Sequence, residues 1–183
     1  MRLLLFALLA GASVLAQADE ALWTLLRGGG QVLFIRHAST TPGVGDPDGF
    51  RLEDCGTQRN LSEEGRAEAR RLGELLRRQK VPIASVVSSP WCRCVDTGHL
   101  AFGRIDERWV ALSNLFGRSP NASAQVKAMR PRIATFRGKG NLVLVSHGST
   151  AYALTGVSPQ QAEIVVLTPE GSGFRVAGRI PPP

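Results

Sequence analysis

Aromatic residues are scarce in this 183-residue chain, at 6%: seven Phe, three Trp and one Tyr. The arginines are scattered rather than interleaved with rings, so the stacking platform of a single-strand nucleic-acid binder is missing and no nucleic-acid partner is expected. Histidine and cysteine are rarer still, three of each. No Asp/His cluster accompanies them at ligand spacing, and the Cys92-x-Cys94 pair lacks a second ligand pair, so no metal or other cofactor is expected. The longest apolar run, residues 3–15 broken by Gly11 and Ser13, falls short of the roughly 20 residues a spanning helix needs. Internal repeats, low-complexity tracts and linkers are also missing, so a single domain is expected, long enough to bury one core.

What the N-terminus does have is Arg2, that apolar run, and Ala16-Gln17-Ala18, a small-x-small cleavage site. This reads as a secretory signal peptide over residues 1–18, cut after Ala18, with residues 19–183 as the mature domain. The alternative is an uncleaved anchor, but no Cys follows to accept a lipid. A periplasmic or secreted protein with no stable membrane span is therefore expected. Basic residues outnumber acidic ones, 22 to 15, for a net charge of +7, and loss of Arg2 leaves +6. That balance favours anionic partners. Export also changes the meaning of the thiols, which pair in oxidising compartments. Cys55 is expected to pair with Cys92 or Cys94, leaving one over.

The stretch Gln31-Val32-Leu33-Phe34-Ile35-Arg36-His37-Ala38-Ser39-Thr40 is too short for a helix and suits a strand buried on both faces. It delivers Arg36 and His37 to the strand's carboxyl end, where open α/β sheets bind ligands. A short helix over 20–27 precedes it. The loop 39–60 is long and rich in Gly, Pro and Asp, which marks it as functional or mobile. Ser62 then caps a helix whose first turn carries Glu63 and Glu64 and whose apolar face is Ala67, Leu72, Leu75 and Leu76, ended by Pro82. Residues 84–88 form a second strand, after which Ser89 and Pro90 have the pattern of a cap and first helical position. A third strand is expected over 109–112, a helix over 122–136 disturbed by Pro131, and the clearest buried strand over 141–146. A short helix over 150–154 and a closing hairpin, 163–167 with 173–176, complete the chain. Strand-helix alternation implies parallel pairing with right-handed crossovers, hence an α/β fold with helices on both faces of a mainly parallel sheet.

Three strand ends thus carry Arg36-His37, Ser88-Ser89-Pro90-Trp91-Cys92-Arg93 and Ser146-His147-Gly148. Two guanidinium forks and two imidazoles converging there suit phosphate, and a neutral imidazole can act as nucleophile when its other nitrogen is tied to a carbonyl. Here the chain resembles the histidine phosphatase superfamily, the phosphoglycerate-mutase-like group. Arg36-His37-Ala38-Ser39-Thr40 is similar to its nucleophile motif Arg-His-Gly-x-Thr, and Leu61-Ser62-Glu63-Glu64-Gly65 to its Leu-Ser/Thr-x-x-Gly helix start. Residues 88–97 resemble Ser-Ser-Pro-x-x-Arg-x-x-x-Thr, and Ser146-His147-Gly148 the second-histidine motif. All four occur in family order. The resemblance implies a three-layer α/β/α phosphoglycerate-mutase-like fold. It also implies attack on phosphorus by His37, with Arg36, Arg93 and His147 holding the phosphoryl oxygens, before water releases the phosphohistidine. Thr40 and Gly148, as motif residues, and Arg59, from the long loop, are further candidate substrate contacts; the alternative for Arg59 is an ordinary surface arginine.

The sequence departs from the pattern at Ala38, in place of glycine, and at Asn114, in the slot where many members carry the general-acid glutamate. Another carboxylate must donate the proton, with Glu163 the first choice over Asp46 and Asp48, or else the leaving group needs little help. The function expected is an exported phosphomonoester hydrolase. The alternatives are a phosphoglycerate-mutase-like phosphotransferase and a catalytically weak phosphate-binding or sensor module. The expected partner is a small phosphorylated substrate, with a cell-envelope saccharide phosphate suggested by export and basicity.

Overall fold

The computed structural model describes residues 20–43, 45–116 and 122–183; the expected signal peptide lies outside them. Residues 20–27 are helical (α1), and the glycine turn that follows leads into β1 (Val32–Arg36). Gly29 has φ +73°, and a Cβ there would stand 2.3 Å from the Lys139 carbonyl oxygen, so a side chain is refused on both counts. The remaining elements are α2 (Glu63–Arg78), β2 (Ile83–Ser88), α3 (Cys92–Phe102), β3 (Glu107–Arg108), α4 (Ala122–Ala134), β4 (Asn141–Ser146), α5 (Gly148–Thr155), β5 (Ile164–Glu170) and β6 (Gly173–Ile180). Strand order is β3-β2-β4-β1-β5-β6. The first four strands in that order pair in parallel, and β5 and β6 add antiparallel at the far edge. The fold is thus the expected α/β arrangement with a mainly parallel sheet. Among the described residues no helix is long and apolar enough to cross a membrane.

Strand alternation divides the core into two layers. Leu33 and Ile35 of β1 face Leu26 of α1, Leu72 and Leu76 of α2 and the buried side of α3. Val32 and Phe34 face Met129 and Ile133 of α4 and Ala151 and Leu154 of α5. Both β1 and β4 are thereby covered on both sides, which is why they read as unbroken apolar runs. Register then sets the position of the site. Arg36 pairs with Ser146 and Ser88 with Val145, so β1, β2 and β4 end level and release His37, Ser89 and His147 at one edge.

Ser62 caps α2 as expected, accepting from the Gly65 N–H at 3.0 Å. Gly65 itself lets this helix press on the loop after β1, since a Cβ there would fall 1.8 Å from the Ser39 carbonyl oxygen. The buried face uses Ala69, Leu72 and Leu76, and Ala67 is only partly covered. Two expected elements differ. The segment 109–112 is not a strand: β3 is only Glu107–Arg108, and Val110–Leu112 curls into a 3-10 turn that buries Leu112 and aims its carbonyl at the Ser146 hydroxyl. Ser89 does not cap α3, which begins at Cys92 with Trp91 in the cap position. The Ser89 hydroxyl is instead 3.0 Å from His147 Nε2.

Candidate active site

The ends of β1 and β4 and the start of α3 bring Arg36, His37, Arg93 and His147 around one cavity of about 680 Å³, with Arg59 from the long loop and Gly148 from the start of α5 also on its wall. His37 is buried, and its Nδ1 lies 2.9 Å from its neighbour's carbonyl, that of Ala38. With Nδ1–H donating there, Nε2 keeps its lone pair. Ala38 is held in turn from outside: its backbone N–H donates to Thr97 Oγ1 at 3.0 Å, and that hydroxyl donates to the Arg93 carbonyl at 2.7 Å. The threonine four residues after Arg93 therefore joins the nucleophile loop to the arginine helix. Glu68 of α2 braces the same loop by accepting the Ser39 N–H at 2.8 Å.

Electrostatics keep the imidazoles uncharged. Burial, and then the guanidinium of Arg93, pull the His37 pKa down to about 3 against the opposing Ala38 hydrogen bond. Burial and then His37 depress His147 well below its usual value. The two rings meet edge to face with centroids 5.4 Å apart. Behind His147 lies the free thiol of Cys94, 3.5 Å from its Nε2, with a pKa that burial raises to about 12. It is an inert packing group there. Three buried nitrogens around the cavity, Arg36 Nε, Arg93 Nε and His147 Nδ1, have no hydrogen-bond partner among the described residues. That is a deficit an oxyanion with several acceptor oxygens would correct.

Arg93 is fully buried, and its fork is closed by Asp46: Nη1 donates to Oδ1 at 2.8 Å and Nη2 to Oδ2 at 3.2 Å. Asp46 Oδ1 also accepts the Arg59 N–H at 3.1 Å, so the long loop is anchored at the cavity by its own carboxylate. Of the three carboxylates weighed as general acid, only Asp46 lines the cavity. Glu163 does not face it. Its carboxylate is buried at the turn before β5, paired with Arg179 of β6 and accepting the Gln160 N–H at 2.6 Å. The left-handed conformation of Ala162, φ +58°, redirects the chain there. Thr40 is also off the cavity wall, with its hydroxyl 3.3 Å from Gln161 Nε2. Residues that sequence reasoning did not assign to the site are the Phe50–Trp91 ring pair, with centroids 4.5 Å apart, and Phe116 and Tyr152 at the mouth. No periodicity or motif marks them. Cys55 pairs with Cys92, with Cα atoms 5.7 Å apart, and ties the long loop to the start of α3. Among the described residues no group of three or more His, Cys, Asp or Glu is placed to hold a metal ion.

A parallel-sheet edge that presents two histidines among arginines defines a class, and comparison with known proteins agrees with it. The histidine phosphatase superfamily (branch 1) matches residues 32–119. That match covers 88 of the 183 residues, and the similar solved structures share the fold of this chain. The chain is similar in structure to the protein histidine phosphatase SixA complexed with tungstate, at TM-score 0.58 and 21% identity over 83% of this chain and 97% of that one. It is similar to the open reading frame Rv3214 product of Mycobacterium tuberculosis, at TM-score 0.62 and 18% identity over 83% and 97%. A mycobacterial glucosyl-3-phosphoglycerate phosphatase complexed with VO3 aligns at TM-score 0.55 and 18% identity over 79% and 94%. No curated protein sequence matches the chain.

Proposed function

We propose that the protein is an exported phosphomonoester hydrolase that works through a phosphohistidine on His37. The observation that carries this reading is a buried, neutral imidazole with one nitrogen tied to a carbonyl, set in a cavity walled by Arg36, Arg59 and Arg93. In the proposed reaction, Nε2 of His37 attacks phosphorus in line with the ester oxygen. The N–P bond forms as the P–O bond breaks, and fixed positive charge steadies the spreading phosphoryl charge. A phosphoryl group offers Arg93 the same two-oxygen geometry that Asp46 occupies, and takes that fork in its place. Arg36 and His147 hold the remaining oxygens, and water then attacks the phosphohistidine and frees phosphate. Export is supported by the leader-like residues 1–18 and by the Cys55–Cys92 disulfide, which suits an oxidising compartment.

The test is phosphate release from a panel of phosphomonoesters, with quenching to trap an acid-labile, base-stable phosphoryl group on His37. His37→Ala should lose several orders of magnitude in rate, because the two-step route vanishes with its nucleophile. Hydrolysis that proceeds in single turnovers without label would point to direct water attack, and phosphoryl retained on organic products would point to a phosphotransferase.

A further inference from the structure

Resting on the phosphatase reading, we propose that the aromatic rings lining the cavity take an uncharged, apolar leaving group, an aryl or comparably flat hydrophobic alcohol. Beside the guanidiniums and imidazoles the cavity is lined by Phe50, Trp91, Phe116 and Tyr152, and Trp91 reaches the arginine end itself, with the Arg93 guanidinium 4.6 Å from its ring centroid and the His147 ring 5.6 Å away. The chain has few aromatic residues, yet four of its eleven rings of Phe, Tyr and Trp line this one cavity. Phe116 and Tyr152 are 82% and 59% exposed, and single exposed rings are ordinary, but two bordering the same cavity as the Phe50–Trp91 ring pair form a surface that a flat apolar group would cover.

Two polar side chains of the lining, Asn114 and Ser149, are engaged with each other and with the backbone. Asn114 Oδ1 accepts from Ser149 Oγ at 2.8 Å and from the Phe116 N–H at 3.1 Å, while Ser149 Oγ accepts the Leu115 N–H at 3.1 Å. A saccharide leaving group would bring several hydroxyls against these rings, at the cost of their hydration. The one carboxylate among the described lining residues, Asp46, closes the Arg93 fork until a phosphoryl group takes its place. An aryl oxide is a good enough leaving group to depart without a proton from that carboxylate, whereas an alkoxide would need one. The aryl oxygen leaves with the P–O electron pair as Nε2–P forms, and it takes its proton from solvent.

Competitive inhibition separates recognition from chemistry. Benzylphosphonate and methylphosphonate present the same head group with and without a ring, and inorganic phosphate reports the arginine end alone. Benzylphosphonate should bind at least about tenfold more tightly than methylphosphonate to the wild-type protein. In a Tyr152→Ala/Phe116→Ala double variant that ratio should fall toward one, with phosphate inhibition unchanged as the check on folding. In turnover, 2-naphthyl phosphate should exceed glucose 6-phosphate in kcat/KM. A ratio near one in the wild type, a ratio the double variant leaves intact, or preference for the sugar phosphate would overturn the proposal while leaving the phosphatase reading in place. Absence of both phosphate release and inhibition by phosphate would overturn both.

Discussion

Glu163 shows how a residue can matter to this site without touching the reacting atoms. Its carboxylate accepts the Gln160 N–H, and the adjoining Pro159 carbonyl accepts Arg36 Nη1 at 2.9 Å. Its own carbonyl accepts the Arg36 N–H at 3.2 Å, and the Ala162 N–H lies 3.1 and 3.2 Å from the carbonyls of Arg36 and His37. The turn over 159–163 thus positions both the side chain and the backbone of the Arg-His pair, with Arg179 fixing Glu163 from the far side. Glu163→Ala should lower kcat/KM by about tenfold or more, the scale of a lost charge-assisted hydrogen bond. Arg179→Ala should act in the same direction. A positioning role leaves the shape of the pH–rate profile unaltered and is largely rescued by Glu163→Gln, which keeps an acceptor for Gln160. Loss of the basic limb of that profile in both Glu163 variants, on alkyl substrates only, would instead restore the residue as an acid. The same turn explains why the sequence misled here. A left-handed alanine has no signature of the kind that glycine or asparagine provides, so the direction of the next side chain could not be read from alternation.

At the level of elements, legibility followed burial. Strands β1 and β4 and helix α2 were readable because each buries a continuous face or carries a satisfied cap, and local pattern and tertiary environment agree. Arg36, His37 and His147 were readable for the same reason, since each ends or directly follows an apolar strand. Ser89 was not, because Ser-Pro has a cap's local pattern while His147, 58 residues away, took its hydroxyl. Trp109 to Leu112 was not, because four apolar residues suit a strand or a turn equally until Leu112 finds its place in the core layer of Met129 and Ile133. Nor does composition distinguish Asp46 from Asp48 in a Gly-Asp-Pro-Asp-Gly turn; only Arg93 does so. The loop carrying Asp46 is held at its other end by Cys55–Cys92 and by Gln58, whose Oε1 accepts the Cys92 N–H at 3.0 Å. Closing a loop of this size stabilises the fold by roughly 3 to 4 kcal/mol in the chain-entropy model. Cys55→Ser/Cys92→Ser should therefore lower Tm by about 10 °C and raise KM, because Arg59 and Asp46 lose their covalent brace. An unchanged melt in reducing and non-reducing buffer, or three free thiols in the denatured unreduced protein, would refute the linkage.

The whole molecule is organised to keep two histidines uncharged at the end of a parallel sheet, and that arrangement has a consequence for stability in acid. Class and layers could be inferred from the alternation of elements, but the insertion of β4 between β2 and β1 could not, since it rests on pairings more than 50 residues apart. That insertion sets His147 beside His37 and buries both, and burial is the leading cause of each depressed pKa. In the unfolded chain both rings titrate near 6.5, whereas in the folded protein His37 does so only at about 3 and His147 well below 6.5. Between those limits the unfolded state binds protons that the folded state refuses. The stabilisation is fully present above about pH 6.5 and is lost progressively as the pH falls toward 3. Glu163, Asp106 and Glu107 have lowered pKa values and act with the same sign, but only below their usual value near 4.5 or lower. The window from about pH 6.5 to about pH 4.5 therefore isolates the histidines, and His37 alone should lose roughly 2 to 3 kcal/mol of stability across it. Denaturant melts at about pH 7 and about pH 4.5 should show at least that loss for the wild type and a much flatter dependence for His37→Gln/His147→Gln. Equal stability of the wild type at the two pH values would mean that the imidazoles take up protons in the folded state, and the neutral nucleophile would go with them.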